Sequence, residues 1–324
     1  MNAIYLFLPL IIGVALCFTI GDPPNKFHPV AGLGWLIGTF ARKLRKSERP
    51  KIQRFSGAVF TIFLTSGICI TSQVFSDYIY SFFGAIAFIL YAIIVVKLTV
   101  AILTMEKHTS SIILALQEND IVRARQNLSF IVSRNTTNLD SQHIMSGTIE
   151  SVGESIVDGI VSPLFYYCFF GPVGAIAYRI INTMDSMVGY KDKYNIDLGW
   201  MSAKADTVLN FIPARLSAIL IILSAALVGA DWRNSIQAVS ADRRNTTSVN
   251  AGYPMSTMAG ALRVKLEKIG EYTLGKELER IDIDKCKTAI KIMRVTVLIF
   301  CILVPFPIIT SLSLIGWWNL IFGF

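Results

Sequence analysis

Two long apolar runs, separated by three residues, decide the fold class of this chain. They are GAVFTIFLTSGICITSQVF at residues 57–75 and IYSFFGAIAFILYAIIVVKLTVAILT at residues 79–104, in which Lys97 is the one charged residue. An apolar helix of about 20 residues is long enough to cross the hydrocarbon core of a bilayer. Because only residues 76–78 separate the runs, we expect two membrane-spanning helices joined as a hairpin.

Two further runs, at residues 3–20 and 295–321, are also apolar and close to the length of a membrane span. Pro305 and Pro307 lie inside the second of these runs. Proline lacks the backbone N–H that a helix interior needs, and its ring clashes with the preceding turn. We therefore expect the last span to kink or break near these prolines.

The runs at residues 156–181 and 209–229 can either cross the membrane or re-enter it. The first is interrupted by GPVG at residues 171–174, which is typical of two half-helices. If both runs cross, or if neither does, the basic loop at residues 231–294 lies on the cytoplasmic side. Since strand patterns are scarce, the sequence predicts an all-α polytopic integral membrane protein. It forms one domain over residues 1–324, with four to six membrane segments and helical cytoplasmic loops.

The composition and the charge distribution favour a membrane protein over a soluble or nucleic-acid-binding one. Of the 324 residues, 53% are apolar and 16% are charged, whereas soluble domains have about 25% charged residues. The net charge is +8, and residues 21–55 hold eight Lys or Arg against two acids. Residues 231–294 hold twelve basic and eight acidic residues. Basic residues beside membrane spans mark cytoplasmic loops, so we expect the lipid bilayer as a partner and no nucleic acid.

The polar stretches between the apolar runs are predicted to be helical. Residues 105–133 have the pattern of two helices, with Asp120 at the N-cap of the second. Residues 276–294 alternate in charge along a helix that continues into the last span. The turn SVNAGYP at residues 248–254 precedes a helix expected at residues 255–268. Free N–H groups at a helix start suit an anion, although a plain capping turn is the commoner use of such a sequence.

Three carboxylates spaced by four residues form the most informative local feature. Glu150, Glu154 and Asp158 share one face of a predicted helix, where the chain becomes apolar. Like charges in such a column repel unless a cation or basic groups offset them. Two interpretations remain open. One is a magnesium site, since Mg²⁺ prefers a few carboxylates together with phosphate oxygens; the other is a solvated or arginine-paired face.

A second polar group flanks the ambiguous runs. Its members are Arg179, Asn182, Asp185, Asp206, Asn210 and Arg215. Asn182 and Asp185 are three residues apart, and Asp206 and Asn210 are four apart, so each pair is expected to share a helix face. Polar residues at membrane segments are costly and are candidates for function. The alternative is a buried hydrogen-bonded network that holds the helices together.

Lys97 and the loop after the first span carry further candidates. Lys97 either reaches a bound phosphate or extends its ammonium group to the membrane interface. The loop reads GDPP at residues 21–24 and continues to His28, so it offers one acid, Asp22, and one imidazole. A single histidine is weak evidence for catalysis.

Taken in chain order, these motifs resemble the adenosylcobinamide-phosphate synthase family of cobalamin biosynthesis, known as CbiB or CobD. The matching stretches are GDP at 21–23, HPV at 28–30, SR at 133–134, LD at 139–140, ESV at 150–152, VDG at 157–159, SPLF at 162–165, AYR at 177–179, NTMDSMVGY at 182–190, Asp206, NFIPARL at 210–216, NAG at 250–252 and MAGAL at 258–262. The specificity of the resemblance lies in the order of the whole set.

The chain departs from the family pattern at a few of these positions. Asn135 stands where the family usually has an aspartate, Thr207 where it commonly has a second acid, and Val249 where it has a proline. Gly153 and Ser155 replace the alanine and asparagine that usually flank the glutamate matching Glu154. These changes remove a carboxylate role at position 135 and leave the resemblance intact.

The resemblance implies an ATP-dependent amide ligase. Such an enzyme joins adenosylcobyric acid to (R)-1-aminopropan-2-ol or its O-phosphate and gives adenosylcobinamide or its phosphate. ATP and Mg²⁺ would be required, and the corrinoid and the amino alcohol would be the substrates. Other cobamide-assembly enzymes are candidate partners. The active site would lie on the cytoplasmic side of the cell membrane.

The resemblance assigns the positions of the site residues, and the chemistry of amide formation assigns their roles. Three kinds of role follow: catalytic candidates Asp22, His28, Asp185 and Asp206; substrate or phosphate ligands Lys97, Arg134, Arg179, Asn182, Asn210, Arg215, Ser248, Asn250 and Gly252; and magnesium ligands Glu150, Glu154 and Asp158. Two other classes stay open. A membrane transporter would use the broken run at residues 156–181, and a non-catalytic sensor would belong to a related branch of the same superfamily.

Overall fold

The computed structural model describes residues 3–23, 26, 28–44, 49–189 and 195–322. Pro24 and Tyr190, which belong to two of the sequence motifs, lie outside these residues. The helices, in chain order, are α1 Ile4–Thr19, α2 Pro29–Leu44, α3 Pro50–Thr99, α4 Ile102–Gln117, α5 Ile121–Ser129, α6 Ser141–Ser155, a π-helical turn Ile156–Val161, α7 Ser162–Val188, α8 Trp200–Leu209, α9 Phe211–Val228, α10 Trp232–Asp242, α11 Gly252–Leu262, α12 Ile283–Leu303, α13 Pro305–Leu314 and α14 Trp317–Phe322. Two short strands, β1 Leu266–Lys268 and β2 Tyr272–Leu274, pair between α11 and α12.

The chain forms two compact units. The first unit consists of Met1–Ala101, Ser162–Leu209 and Leu303–Phe324. The second unit consists of Ile102–Val161 and Asn210–Ile302. Each unit therefore combines segments that are far apart in the sequence.

In the first unit, α3 is a helical hairpin that reverses at Gly84. The Ser72 and Tyr91 hydroxyls are 2.7 Å apart, whereas nineteen residues of straight helix would separate them by about 28 Å. Gly84 has φ 78° and ψ −175°, a conformation that side chains other than glycine rarely adopt. The predicted hairpin is therefore present, with its turn at Gly84.

The prediction of a turn at residues 76–78 is wrong, because the polar side chains there form hydrogen bonds within the helix. The Ser76 hydroxyl donates to the Ser72 carbonyl at 2.9 Å, and the Gln73 amide donates to Asp77 at 2.9 Å. Both bonds span four residues, which is one helical turn. Polar residues in an apolar run can thus continue a helix when each finds a partner one turn away.

A second reversal lies in α7, at Gly171. Gly171 has φ 61° and ψ −149°, and the rings of Tyr166 and Tyr178 stack with centroids 5.7 Å apart. Twelve residues of straight helix would separate these rings by about 18 Å. The sequence prediction of two half-helices is confirmed, and the run at residues 156–181 does not continue as a single straight helix.

One buried apolar cluster of the first unit lies between α2, α3 and α7. It contains Ile37 and Ala41 from α2, Leu64 from α3, and Ile180, Met184 and Val188 from α7, together with Leu198. Gly57 of α3 approaches the backbone of Leu198 so closely that an added Cβ would lie 2.0 Å from the carbonyl oxygen. This contact fixes the segment before α8 against the first arm of α3.

In the second unit, α4 and α5 form the predicted helical pair. Asp120 caps α5, since its side chain accepts a hydrogen bond from the backbone N of Arg123 at 2.9 Å. Ile112 of α4 and Leu128 of α5 pack against Ile144 of α6 in one buried cluster. The pair is thereby held on α6, the helix that carries Glu150.

The prediction of a helix at residues 255–268 is wrong at both ends. Helix α11 begins at Gly252 and ends at Leu262, where Arg263 adopts φ 61°. The next residues form β1, which pairs with β2 in antiparallel register, Leu266 opposite Leu274. A left-handed residue ends a helix efficiently, and no pattern in the sequence marks Arg263 for that conformation.

The C-terminal segment is broken as the prolines predicted. Helix α12 ends at Leu303 and α13 begins at Pro305, so Val304 is the break. The helix predicted over residues 276–294 begins only at Ile283. The residues before it form an irregular segment that leads from β2 to α12.

Among the described residues, four helical stretches are long and apolar enough to span a membrane, namely Pro50–Gln117, Ser141–Val188, Phe211–Val228 and Ile283–Leu314. Helix α1 is a shorter apolar helix. Large apolar side chains on these helices are exposed, as in Phe63, Ile86 and Leu314, which matches the surface that a lipid environment requires. The chain is an all-α polytopic membrane protein, as the sequence predicts.

Candidate functional site

Each unit contains a polar cluster built on residues that the sequence singled out. In the first unit, Asp22, His28, Lys97 and Arg179 form a group that we name the Asp22 cluster. In the second unit, Arg134, Ser146, Glu150 and Tyr272 form the Glu150 cluster.

The Asp22 cluster is built on an ion pair between Lys97 and Asp22. The Lys97 ammonium donates to Asp22, and their side chains are 12% and 15% exposed. A charge in an apolar helix is costly unless it is paired. Pairing with Asp22 therefore explains how the second arm of α3 accommodates a lysine, and it decides against simple extension to the membrane interface.

His28 precedes α2, and its ring makes a local hydrogen bond. The backbone N of Val30 donates to Nδ1 of His28 at 3.2 Å. Burial lowers the pKa of His28, the charges of Arg179 and Lys97 act in the same direction, and Asp22 opposes them. The imidazole is therefore favoured in its neutral form with Nδ1 as an acceptor, so Nε2 carries the proton. At neutral pH this ring offers a donor at Nε2 and no free base.

Asn182 and Asp206 join α7 to α8 in the first unit. The side-chain amide of Asn182, which is buried, donates to Asp206 at 3.2 Å. Asp185 lies one turn beyond Asn182, and its carbonyl accepts from the backbone N of Gly189 at 2.7 Å. The hydrogen-bonded network foreseen as the alternative for these residues is thus present in part.

Asp206 and Asn210 do not lie in the same helix, which the expectation from their spacing required. Helix α8 ends at Leu209 and α9 begins at Phe211, so Asn210 lies at the break between two helices. Within the second unit, its side-chain amide donates to Asp158 at 3.1 Å. Asn210 therefore binds Asp158 from the break between the two helices.

In the Glu150 cluster, three side chains converge on one buried carboxylate. Glu150 is 2% exposed. It forms an ion pair with Arg134 and accepts hydrogen bonds from the Tyr272 hydroxyl at 2.8 Å and from the Ser146 hydroxyl at 2.9 Å. Arg134 also donates to the carbonyl of Glu267 at 3.3 Å. A buried carboxylate with this many donors is fully compensated.

The β-hairpin supplies two parts of the Glu150 cluster. The backbone N of Glu267 in β1 donates to Ser146 at 2.8 Å, and Tyr272 begins β2. Burial and the charge of Glu150 raise the pKa of Tyr272 well above its ordinary value, so the phenol stays protonated and donates. Sequence reasoning missed Ser146 and Tyr272. Ser146 stands four residues before Glu150, which is a usable signal, whereas nothing local indicated Tyr272.

The structure does not gather the three carboxylates into one metal site. Within the described ranges, no group of three or more His, Cys, Asp or Glu side chains is placed to hold a metal ion. The column is broken because Asp158 lies in the π-helical turn, where the hydrogen bonds run from i to i+5. Glu150 forms an ion pair with Arg134, as the second interpretation of the sequence proposed. Glu154 is exposed and Asp158 is half-buried.

The turn before α11 is a capped turn that also receives Arg215. The Ser248 hydroxyl accepts from the backbone N of Asn250 at 3.3 Å and of Ala251 at 3.2 Å. The Arg215 guanidinium lies 4.4 Å from the ring centroid of Tyr253 and donates to the Asn250 side chain at 3.4 Å. Two of the amides considered for an anion are therefore occupied by Ser248, while Arg215 brings a positive charge to the turn.

A glycine is required at position 252 because α11 passes very close to another backbone segment there. A Cβ at this position would lie 2.2 Å from the carbonyl oxygen of Arg243. A larger residue would therefore push α11 away from the segment after α10. Gly252 acts through this close approach, and its assignment as a phosphate ligand stays a prediction.

The fold and these clusters define a helical membrane protein with compensated polar clusters, built from residues far apart in the sequence. The chain belongs to the CobD/Cbib protein family, whose model matches residues 10–299. No solved structure matches the chain.

Relatives named for cobalamin biosynthesis match over most of their lengths. The chain is 36% identical over 296 residues to the "Probable cobalamin biosynthesis protein CobD" of Methanothermobacter thermautotrophicus, covering 90% of this chain and 94% of the relative. It is 38% identical over 273 residues to the "Cobalamin biosynthesis protein CobD" of Dehalococcoides mccartyi, covering 84% and 88%. For the protein of the same name from Clostridium perfringens, the identity is 35% over 287 residues, covering 88% and 90%.

Proposed function

We propose that this chain is an enzyme of cobalamin biosynthesis that joins adenosylcobyric acid to (R)-1-aminopropan-2-ol or its O-phosphate. The product is adenosylcobinamide or its phosphate, and ATP is consumed. The observation that supports this proposal is membership of the CobD/Cbib family over residues 10–299. The names of the relatives point to the same pathway. The two polar clusters supply charged groups that such a reaction needs.

The chemistry of the proposed reaction requires activation of a carboxylate. A carboxylate is a poor acyl donor, so its oxygen first attacks the γ-phosphorus of ATP and releases ADP. The amine nitrogen then attacks the carbonyl of the acyl phosphate, phosphate leaves, and a base removes the proton from nitrogen. The enzyme must therefore bind two anionic groups and provide one base.

We propose magnesium at two of the three predicted carboxylates. Glu150 does not fit, because Arg134, Tyr272 and Ser146 already converge on its oxygens. We assign the metal to Glu154 and Asp158, since Mg²⁺ commonly takes one or two protein carboxylates together with substrate phosphates. When bound, Mg²⁺ would neutralise developing charge on the transferred phosphoryl group.

The cationic side chains are assigned to the anionic groups of the substrates. Arg134 is held in place by Glu150 and the Glu267 carbonyl, so its remaining N–H groups are oriented in advance of binding. Arg215 is held by Asn250 and by the Tyr253 ring in the same manner. Two oriented guanidinium groups suit phosphate binding in the second unit.

The Asp22 cluster, together with Asp185 and Asp206 of the same unit, is assigned to carboxylate binding and proton transfer. Lys97 and Arg179 provide positive charge for a substrate carboxylate, and Asp22, Asp185 and Asp206 are the candidate bases. His28 is assigned as a hydrogen-bond donor through Nε2, because Nδ1 accepts from Val30. His28, a catalytic candidate from the sequence, is thus proposed to act as a donor and not as a base.

The location proposed for the active site is the cytoplasmic side of the cell membrane. Residues 21–55 and 231–294 carry most of the basic residues outside the apolar helices, and such loops face the cytoplasm. Other cobamide-assembly enzymes are proposed partners, since the corrinoid substrate must be delivered and its product removed.

A product assay tests the proposal. The chain is expressed in a host that lacks its own synthase, and membranes are supplied with adenosylcobyric acid, aminopropanol phosphate, ATP and Mg²⁺. Mass spectrometry is expected to show the amide product, with dependence on both ATP and Mg²⁺. Absence of product with several amino alcohols, from folded protein in the membrane, would favour a transporter or a sensor instead.

A further inference from the structure

The second unit contains an open polar cavity that the assignments above leave unused. Its volume is about 300 Å³, and it is lined by residues of α6 and β1 and by residues that precede α12. Ser146, which is buried, belongs both to this cavity and to the Glu150 cluster. The cavity therefore adjoins the Glu150 cluster through a shared side chain.

Charges of both signs line the cavity. Lys265 pairs with Glu267 at 2.9 Å, so these two side chains largely compensate each other. Glu279 pairs with Arg263 at 2.7 Å and is also committed. Glu277 and Arg280 line the same cavity and are exposed. Neither forms an ion pair within 4 Å of a side chain in the described part of the chain. The charge of Glu277 reaches Lys265, whose pKa it helps to raise, so Lys265 compensates it only at longer range.

The balance of charges selects the ligand. A simple dianion would face the carboxylate of Glu277, and a simple cation would face the guanidinium of Arg280. A molecule with a positive group at one end and a negative group at the other satisfies both, which is the general condition for electrostatic complementarity. The volume is at the lower limit of small-molecule sites, so the ligand is small.

We infer that this cavity binds a small zwitterion that carries a primary ammonium and a phosphate, with the ammonium at Glu277 and the phosphate at Arg280. The inference rests on the proposed function in one respect, because an amino-alcohol phosphate is the substrate of that class in the proposed reaction. It adds a binding site built from residues that no sequence motif marked. Since Ser146 is shared, the ligand is held next to the cluster that orients Arg134.

Binding of two probes to the full-length protein in nanodiscs, without ATP, tests the site. The probes are 1-aminopropan-2-ol O-phosphate and inorganic phosphate, each titrated by calorimetry. Glu277→Gln is expected to weaken binding of the amino-alcohol phosphate about tenfold, because one charge-assisted contact is lost. Binding of inorganic phosphate is expected to stay unchanged. Arg280→Gln is expected to weaken the binding of both probes about tenfold.

A matched control and two outcomes make the test decisive. Lys287→Gln removes an exposed cation of the same unit, paired with Asp284 outside the cavity, and is expected to change neither dissociation constant. Equal dissociation constants in the wild type and both cavity variants, or no binding by the wild type, would overturn the inference.

The product assay separates this inference from the proposed function. If the wild type makes the amide while both cavity variants keep its KM for the amine, the cavity assignment fails and the proposed function stands. If the wild type binds the zwitterion in the expected pattern and makes no amide, the cavity assignment stands and the proposed function fails.

Discussion

The guanidinium of Arg134 forms an ion pair with the carboxylate of Glu150, and the two side chains are 13% and 3% exposed. The Tyr272 and Ser146 hydroxyls bind the same carboxylate. Since both charges lie away from bulk solvent, each depends on the other for compensation. The pair is therefore a structural requirement of the second unit as well as a candidate for phosphate binding.

Removal of Arg134 should destabilise the protein severely. Arg134→Met leaves a buried carboxylate without its cation, and we expect a loss of about 3–5 kcal/mol in the free energy of unfolding. The double variant Arg134→Met/Glu150→Leu should recover much of that loss, because no uncompensated charge remains. Thermal unfolding in one detergent measures both.

The control for that series is Arg123→Met. Arg123 pairs with Glu118 at 2.6 Å, and the side chains are 44% and 49% exposed. Exposed pairs contribute about 1 kcal/mol or less, so this variant should be nearly neutral. Equal losses for Arg123→Met and Arg134→Met would contradict the argument.

Glu154 should be required for magnesium-dependent turnover. Glu154→Gln keeps the size of the side chain and removes the charge that we assign to the metal, so turnover should be abolished across a Mg²⁺ titration. Glu118→Gln changes an exposed glutamate of the same unit and should retain normal turnover. Near-normal activity of Glu154→Gln at low Mg²⁺ would remove the metal assignment.

His28 should make the protein less stable at acidic pH. Its folded-state pKa lies below the ordinary 6.5, so the unfolded chain takes up a proton first as the pH falls. The contribution of His28 to the stability of the folded protein is fully present above about pH 6.5. It declines as the pH falls from there towards the lower folded-state pKa.

The variant His28→Asn checks that dependence. Asparagine is also a good N-cap residue, so α2 should keep its start while the titrating ring is lost. Melting temperatures from pH 7.5 to pH 5 should fall less steeply in the variant than in the wild type. Parallel curves would show that His28 does not contribute to the acid sensitivity.

Two glycine substitutions in the first unit should have opposite effects. A Cβ at Gly174 would lie 2.3 Å from the backbone carbonyl oxygen of Tyr166, so Gly174→Ala should cost about 1–3 kcal/mol. A Cβ at Gly67 meets nothing within 4 Å. Gly67→Ala should gain about 0.5–1 kcal/mol, since alanine loses less entropy in a helix. Melting temperatures of the two variants should therefore lie on either side of the wild type.

Local features of the fold could be predicted from the sequence. The breaks at Val304 and Gly171 follow from proline and glycine in apolar runs, and the cap at Asp120 follows from a short polar residue before a helix. The reversal at Gly84 was misplaced because polar residues 76–78 were more conspicuous than a lone glycine. Their hydrogen bonds within the helix become visible only in three dimensions.

The candidate site could be predicted only in part, since its partners come from distant segments. The resemblance located Arg134 and Glu150, but it did not show that they bind each other. Tyr272 reaches Glu150 across 122 residues, and spacing rules apply only within one helix or strand. The prediction that three carboxylates share one helix face is wrong for a local reason, the π-helical turn at Ile156–Val161. No residue type in the sequence marks such a turn.

The β-hairpin that completes the Glu150 cluster has a consequence for biosynthesis of the protein. Arg134 leaves the ribosome before Glu150, whereas Tyr272 follows it by 122 residues. At about 5–20 residues per second, those 122 residues correspond to about 6–24 seconds of translation. During that interval, Arg134 is the one charged partner of the cluster already synthesised. Both partners of the ion pair are therefore synthesised before the hairpin that completes the cluster.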